Sequence, residues 1–223
     1  MSDIAIYWFR DDLRLHDLAG LAAAAERGPV VPLYIWDEKV SEEWPIGGAS
    51  RWWLHKSLAA LEAALTEQGI PLTLRSGNTA TVLEEVCRSV NAKAVYCSRQ
   101  YQPWAGQLEQ SLRDKLSQHD VALKRYPGTL LHEPEAVATG AGTPFKVFTP
   151  FWRACLRRPD PQMPLATPTL SPCPTPVQSE TLNSLNLLPT QPNWARGWED
   201  LWCPGEDGAH AALDVFLADH VID

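Results

Sequence analysis

Apolar and polar positions in the first 130 residues alternate in blocks rather than residue by residue. Short strand-like runs at 4–9, 30–36, 72–74, 94–97 and 121–126, the first of them apolar throughout, are separated by longer stretches of helical periodicity. A continuous apolar run of that length describes a strand buried on both faces, as in a parallel sheet covered by helices. Between the runs, Leu54, Leu58, Leu61 and Leu65 keep to one helical face. Four helices are predicted. The first is capped by Asp17 and stops at Gly28 and Pro29; the second is capped by Ser50 and runs from Arg51 to about Gln68. The third carries a capping-box pattern at Thr81–Glu84 and ends near Asn91, and the fourth runs from Trp104 to about Gln118. Pro32 interrupts the second strand and suggests an edge position for it. Strict alternation of strand and helix implies a doubly wound parallel sheet of five strands with right-handed crossovers.

Beyond Tyr126 the pattern changes. Residues 139–144 form a turn, and 145–158 carry aromatic and basic residues consistent with a short helix. Prolines then recur from Pro159 to Pro192 without hydrophobic periodicity, the composition of a linker. An amphipathic stretch with Ala211, Ala212, Leu213, Phe216 and Leu217 follows Pro204, and the chain ends soon afterwards at Val221-Ile222-Asp223. One helix after so long a linker reads as the opening of a domain that the chain does not contain.

Charge gathers where the apolar runs stop. The first run ends in Arg10, Asp11, Asp12, Arg14, His16 and Asp17; the second in Trp36, Asp37 and Glu38; the fourth in Ser98, Arg99, Gln100 and Tyr101. Ligands of doubly wound sheets collect outside the carboxyl ends of the strands, so these groups are the candidate site. Gly47 and Gly48 precede a helix whose first turn carries Arg51, a position where the helix dipole disfavours a cation unless a partner is present. Aromatic, guanidinium and carboxylate groups together suit a flat heteroaromatic ligand better than a bare phosphate. Phosphate-loop, GxGxxG, HExxH and GxSxG patterns are absent, and the six histidines form no sequence cluster with cysteine or carboxylate, so no metal site is expected.

The formal charge of −8 argues against the chain gripping DNA alone, since non-specific affinity rests on neutralised phosphates. Five cysteines without metal-ligand spacing point to reduced thiols and a cytoplasmic protein, and no apolar run reaches the roughly 18 residues of a membrane span.

The opening run Trp8-Phe9-Arg10-Asp11-Asp12-Leu13-Arg14-Leu15-His16-Asp17 resembles the WFR-x-DLR-x-x-D signature of the DNA photolyase/cryptochrome family. Gly47-Gly48-Ala49-Ser50-Arg51-Trp52-Trp53-Leu54-His55 is similar to the GAASRWWLH segment of bacterial photolyases. Gln100-Tyr101-Gln102-Pro103-Trp104-Ala105 is similar to the YEPWA loop, with Gln102 in place of the usual glutamate. Phe145-Lys146-Val147-Phe148-Thr149-Pro150-Phe151-Trp152 is similar to YKVFTPFW, and Gly205-Glu206 with the following alanines and leucines to the start of the family's helical domain.

The resemblance implies a Rossmann-like N-terminal domain over 1–130, an interdomain linker with a short helix over 131–203, and the start of a FAD-binding all-helical domain over 204–223. It implies the N-terminal portion of a class I-like photolyase that repairs ultraviolet-induced pyrimidine dimers in DNA. The alternatives are a fragment of a cryptochrome blue-light receptor and a stand-alone flavin- or nucleotide-binding module. FAD and most of the DNA-binding surface would belong to the helical domain, so no catalytic residue is expected here, and the chain alone is expected to be inactive. The domain in hand would hold an antenna chromophore, a methenyl-folate, deazaflavin or flavin, in a cleft lined by Arg10, Trp36, Asp37, Arg51, Trp52 and Tyr101. Trp104 and Ala105 stand where one folate-binding form carries an Asn-Glu pair, which disfavours that folate mode. Apolar surface on 145–152 and 211–217 is expected to be exposed and to favour self-association.

Overall fold

The structure, a computed structural model, describes residues 3–40 and 44–220. Val221-Ile222-Asp223, the chain end noted above, lies outside the described residues. Five parallel strands, β1 (Ala5–Phe9), β2 (Val30–Trp36), β3 (Thr73–Ser76), β4 (Ala94–Ser98) and β5 (Ala122–Tyr126), are arranged in the order β3-β2-β1-β4-β5. Helices α1 (Ala19–Arg27), α2 (Gly48–Glu67), α3 (Thr79–Val90) and α4 (Pro103–Ser117) make the crossovers. The doubly wound, five-stranded reading of the sequence is what the structure contains.

β1 is central because all five of its residues are apolar and buried. Successive side chains of a strand point to opposite faces. Ala5, Tyr7 and Phe9 therefore enter a core with Leu21 of α1 and Leu58, Leu61 and Leu65 of α2, while Ile6 and Trp8 enter another with Leu83, Val86 and Val90 of α3 and Leu112 and Leu116 of α4.

β2 is an interior strand, paired with β1 and β3, so the edge position inferred from Pro32 is corrected. The N–H of Val30 donates to Ser171 on the β3 side of the strand (2.9 Å), and alternate residues of a parallel strand face the same neighbour. Pro32 thus faces that side, one residue before β3 pairing begins at Leu33 with Thr73. Its missing N–H is not required by the ladder.

Three predicted caps are also corrected. Asp17 has a left-handed backbone (φ 51°) and does not cap α1; its Oδ1 accepts the N–H of Leu165 (3.0 Å) and its own N–H donates to the Leu165 carbonyl (2.9 Å). α2 begins at Gly48 with Gly47 as N-cap, so Ser50 lies inside its first turn. The N-cap of α3 is Asn78, whose side chain accepts from the Thr81 N–H, rather than Thr81 itself.

The proline-rich segment lies along the domain. Leu170, Leu185 and Leu187 are buried in the α1/α2-side core. The exposed edge of β3 is covered where Glu180 N–H donates to the Leu74 carbonyl and the Ser179 hydroxyl accepts from the Leu74 N–H. Capping a free strand edge in this way blocks pairing with other chains. The short helix expected in 145–158 is α5 (Phe148–Leu156), and α6 (Glu206–His220) follows a turn at Gly205. Val147, Phe148, Trp152 and Leu156, and on α6 Leu213, Val215, Phe216 and Leu217, are each about half-exposed or more, as the sequence led us to expect.

Candidate functional site

After α3 the chain crosses to the other side of β1, and the strand-order reversal opens a crevice at the carboxyl ends of β2, β1 and β4. A cleft of about 180 Å³ lies there, walled by Trp8, Tyr34, Trp36 and Trp104 and floored by Arg10, with Asp37 and Gln100 on its polar side.

Arg10 is almost completely buried. Its Nη1 donates to Glu109 Oε1 (2.7 Å) and Gln100 Oε1 (3.1 Å), and its guanidinium lies over the Trp8 ring at 4.7 Å. Glu109 reaches Arg10 from α4, where it shares the buried stripe of Ala105, Leu112 and Leu116, and its second oxygen accepts from Arg125 (2.6 Å). Nε and Nη2 of Arg10 are buried without a hydrogen-bond partner. An aromatic slot beside a buried guanidinium suits a planar ring.

Trp36 is on the cleft wall, with the Arg51 guanidinium 5.4 Å from its ring centre. Arg51 Nη2 donates to Glu38 Oε1 (2.7 Å), which supplies the partner that a cation in a first helical turn requires. Arg51 is therefore a rim residue beside the cleft. Asp37 faces it, but its Oδ2 accepts both the N–H (2.8 Å) and hydroxyl (2.9 Å) of Thr79, the first residue of α3. That carboxylate anchors a helix end.

Trp52 and Tyr101 lie outside the cleft, contrary to expectation. One residue beyond Arg51 is a rotation of about 100° around a helix, which turns Trp52 into the buried layer against Trp198 (5.3 Å between ring centres). Tyr101 points toward β5, where its hydroxyl donates to Glu133 (2.5 Å) beneath Arg99; burial first, and this carboxylate second, push its pKa up to about 12. Glu109 and Thr79 were missed by the sequence reading. The available signal was an acid on the apolar stripe of α4, three residues before Leu112.

A second cavity, of about 680 Å³, separates the loop after β1 from α2 and α6. Asp12 on its wall is buried, with Oδ2 unpartnered, and burial raises its carboxyl pKa against the opposing effects of the Ser98 hydroxyl and Arg14. A carboxyl whose pKa rises on folding holds its proton in the native state after the unfolded chain has released it. Stability contributed at this position therefore falls as pH climbs from the ordinary carboxylate value through the raised one. Asp12→Asn abolishes that titration. The variant is expected to be more stable than the parent at about pH 7, with the advantage shrinking toward about pH 4. Thermal denaturation across that range checks the sign, and an advantage that grows on acidification would contradict it.

The sequence model of the DNA photolyase family matches residues 5–172. The chain is 41% identical over 214 residues to the deoxyribodipyrimidine photo-lyase of Agrobacterium fabrum, covering 95% of this chain and 44% of that one. It is 33% identical over 224 residues to Cryptochrome-1 of Arabidopsis thaliana, covering 96% of this chain and 32% of the other. The crystal structure of a class III photolyase from Agrobacterium tumefaciens superposes with a TM-score of 0.90 at 40% identity, over 98% of this chain and 45% of that one. The fold defines a doubly wound N-terminal α/β domain of the photolyase type. The chain belongs to the DNA photolyase/cryptochrome family. It spans less than half the length of each of these relatives.

Proposed function

We propose that this chain is the N-terminal portion of a deoxyribodipyrimidine photolyase acting on ultraviolet-damaged DNA. In this reading residues 1–130 form the antenna domain, 131–203 the interdomain linker, and 204–223 the opening of a FAD-binding helical domain. The observation that carries the antenna role is the slot of Trp8, Trp36 and Trp104 beside the Arg10 guanidinium at the strand ends. An aromatic slot beside a cation suits the planar ring systems of methenyl-folate, deazaflavin and flavin. A cleft of about 180 Å³ is below the roughly 300–1,000 Å³ of pockets that enclose a whole drug-sized ligand. It would therefore admit a ring system rather than a whole chromophore. When bound, such a chromophore absorbs light and passes the excitation to FAD, which supplies the electron-transfer chemistry. The chain's own residues would orient the ring: the tryptophans by stacking, Arg10 by its charge, and Asp37 by fixing the start of α3 beside the cleft.

The exposed apolar faces of α5 and α6 support docking of a helical domain beside them, and self-association is expected where that domain is lacking. No helix among the described residues is long and apolar enough to cross a membrane, and the unpaired thiols of all five cysteines favour a cytoplasmic setting. A cryptochrome-type receptor is the second reading, favoured by the match to Cryptochrome-1.

The test is blue-light dimer reversal. The 223-residue chain alone is expected to retain no FAD and to repair nothing, whereas a protein extended by its helical domain does both. Repair by the chain alone would move the active site into these residues, and an extended protein with flavin but no repair would favour the receptor.

A further inference from the structure

We propose that His16, Glu206 and His210 form a divalent transition-metal site, suited to zinc, that fastens α6 to the loop after β1. One ligand atom from each residue lies within 4.8 Å of the other two. His16 comes from the charged loop after β1; Glu206 is the first residue of α6, and His210 stands one turn further on the same face. The two imidazole centres are 5.7 Å apart with planes at 77°, and His210 Nε2 is 3.9 Å from Glu206 Oε1. That separation is beyond hydrogen-bond reach. Both rings thus converge on the carboxylate across a gap.

Glu206 has a structural task already: Oε2 accepts the N–H of Leu15 (2.8 Å) and Oε1 the N–H of His16 (2.9 Å). Each carboxylate oxygen accepts along about two lone-pair directions, so one on each remains for a metal. The backbone bonds would then orient a ligand, as second partners of metal-bound carboxylates do. Loop anchoring by itself needs the glutamate and neither histidine. The convergence of two imidazoles is what that simpler role leaves unexplained.

Zinc bonds of about 2.0–2.2 Å set tetrahedral ligand atoms roughly 3.3–3.5 Å apart, so the triad closes by side-chain rotation of little more than 1 Å, which the exposed His210 allows. Two imidazoles and a carboxylate suit zinc, whereas calcium and magnesium take oxygen ligands. Three protein ligands leave a fourth position, and all three line the 680 Å³ cavity, which has room for water there. Fastening depends on chain topology: Glu206 lies 191 residues from Leu15.

The experiment uses the full-length protein stripped of metal and titrated with Zn²⁺ against a chromogenic chelator. One equivalent is expected to bind, and Co²⁺ in its place should show the intense visible bands of a tetrahedral site. His16→Ala and His210→Ala are each expected to weaken binding by more than about 100-fold, since even outer-shell losses cost about 10–100-fold. His119→Ala, at the separate His119–Glu84 pair, should leave it unchanged. Circular dichroism of each variant checks folding, and the exposed His210 keeps at least one of them informative. Absence of saturable zinc binding in the parent, or unchanged affinity in His210→Ala, overturns the proposal.

Discussion

Glu109→Leu is expected to destabilise the domain by about 3–5 kcal/mol, because it leaves a buried guanidinium without its carboxylate. Both Arg10 and Glu109 side chains are nearly inaccessible, at 4% and 2% exposure, and their contact is 2.7 Å. Arg125, the other partner of Glu109, is 37% exposed, so Arg125→Leu removes a pair that water already screens and should cost at most about 1 kcal/mol. The contrast separates a burial effect from a general loss of charge. Arg10→Met combined with Glu109→Leu should be less damaging than Glu109→Leu alone, since a matched apolar pair strands no charge. Urea unfolding of the four proteins measures this, and a Glu109→Leu variant within about 1 kcal/mol of the parent would show that the Arg10 charge is solvated by another route.

Gly205→Val is the second substitution with a large expected effect. Gly205 has φ +115°, which side-chain-bearing residues rarely adopt, and a Cβ built there would lie 2.6 Å from the Ala60 Cβ on α2. Backbone strain of about 1–3 kcal/mol is joined by overpacking of similar size. The damage should be local. It detaches α6, so the region around Glu206 becomes protease-sensitive before the sheet unfolds. Ala60→Gly removes the clash and leaves the strain, so the double variant should recover part of the loss. A Gly205→Val protein as resistant to limited proteolysis as its parent would mean that α6 is held by other contacts.

The central strands β1, β2 and β4 were legible because each is buried on both faces, a condition that writes a continuous apolar run into the sequence, and the crossover helices because they alternate with the strands. Caps were less so. Asp17 has the composition of an N-cap, but its backbone and carboxylate are engaged by Leu165, 148 residues away, and no local rule foresees that partner. Pro32 misled for a related reason, since interior strands tolerate proline at a level where the neighbouring strand has yet to begin. In the cleft, Arg10, Trp36 and Asp37 were found because they terminate strands, and the ends of strands share one edge of the sheet. Trp52 and Tyr101 were placed there by proximity in sequence; helix phase carried one into the core, and Glu133 drew the other toward β5. The His16, Glu206 and His210 grouping spans nearly the whole chain, and only the i, i+4 relation of the last two is local.

The bonds from Leu15 and His16 to Glu206 also set a timetable for synthesis. A ribosome adding about 5–20 residues per second needs about 10–40 s to travel the 191 residues between Leu15 and its partner. During that interval β1 can pair with β2 and then β4, while the loop leaving β1 has unsatisfied backbone donors and an open flank. The charged run after β1 is thus among the earliest parts of the chain to emerge and among the last to be finished. Chaperones or premature ligands would meet it half-built, and a nascent chain stalled before Glu206 would present a formed sheet with an unfastened loop.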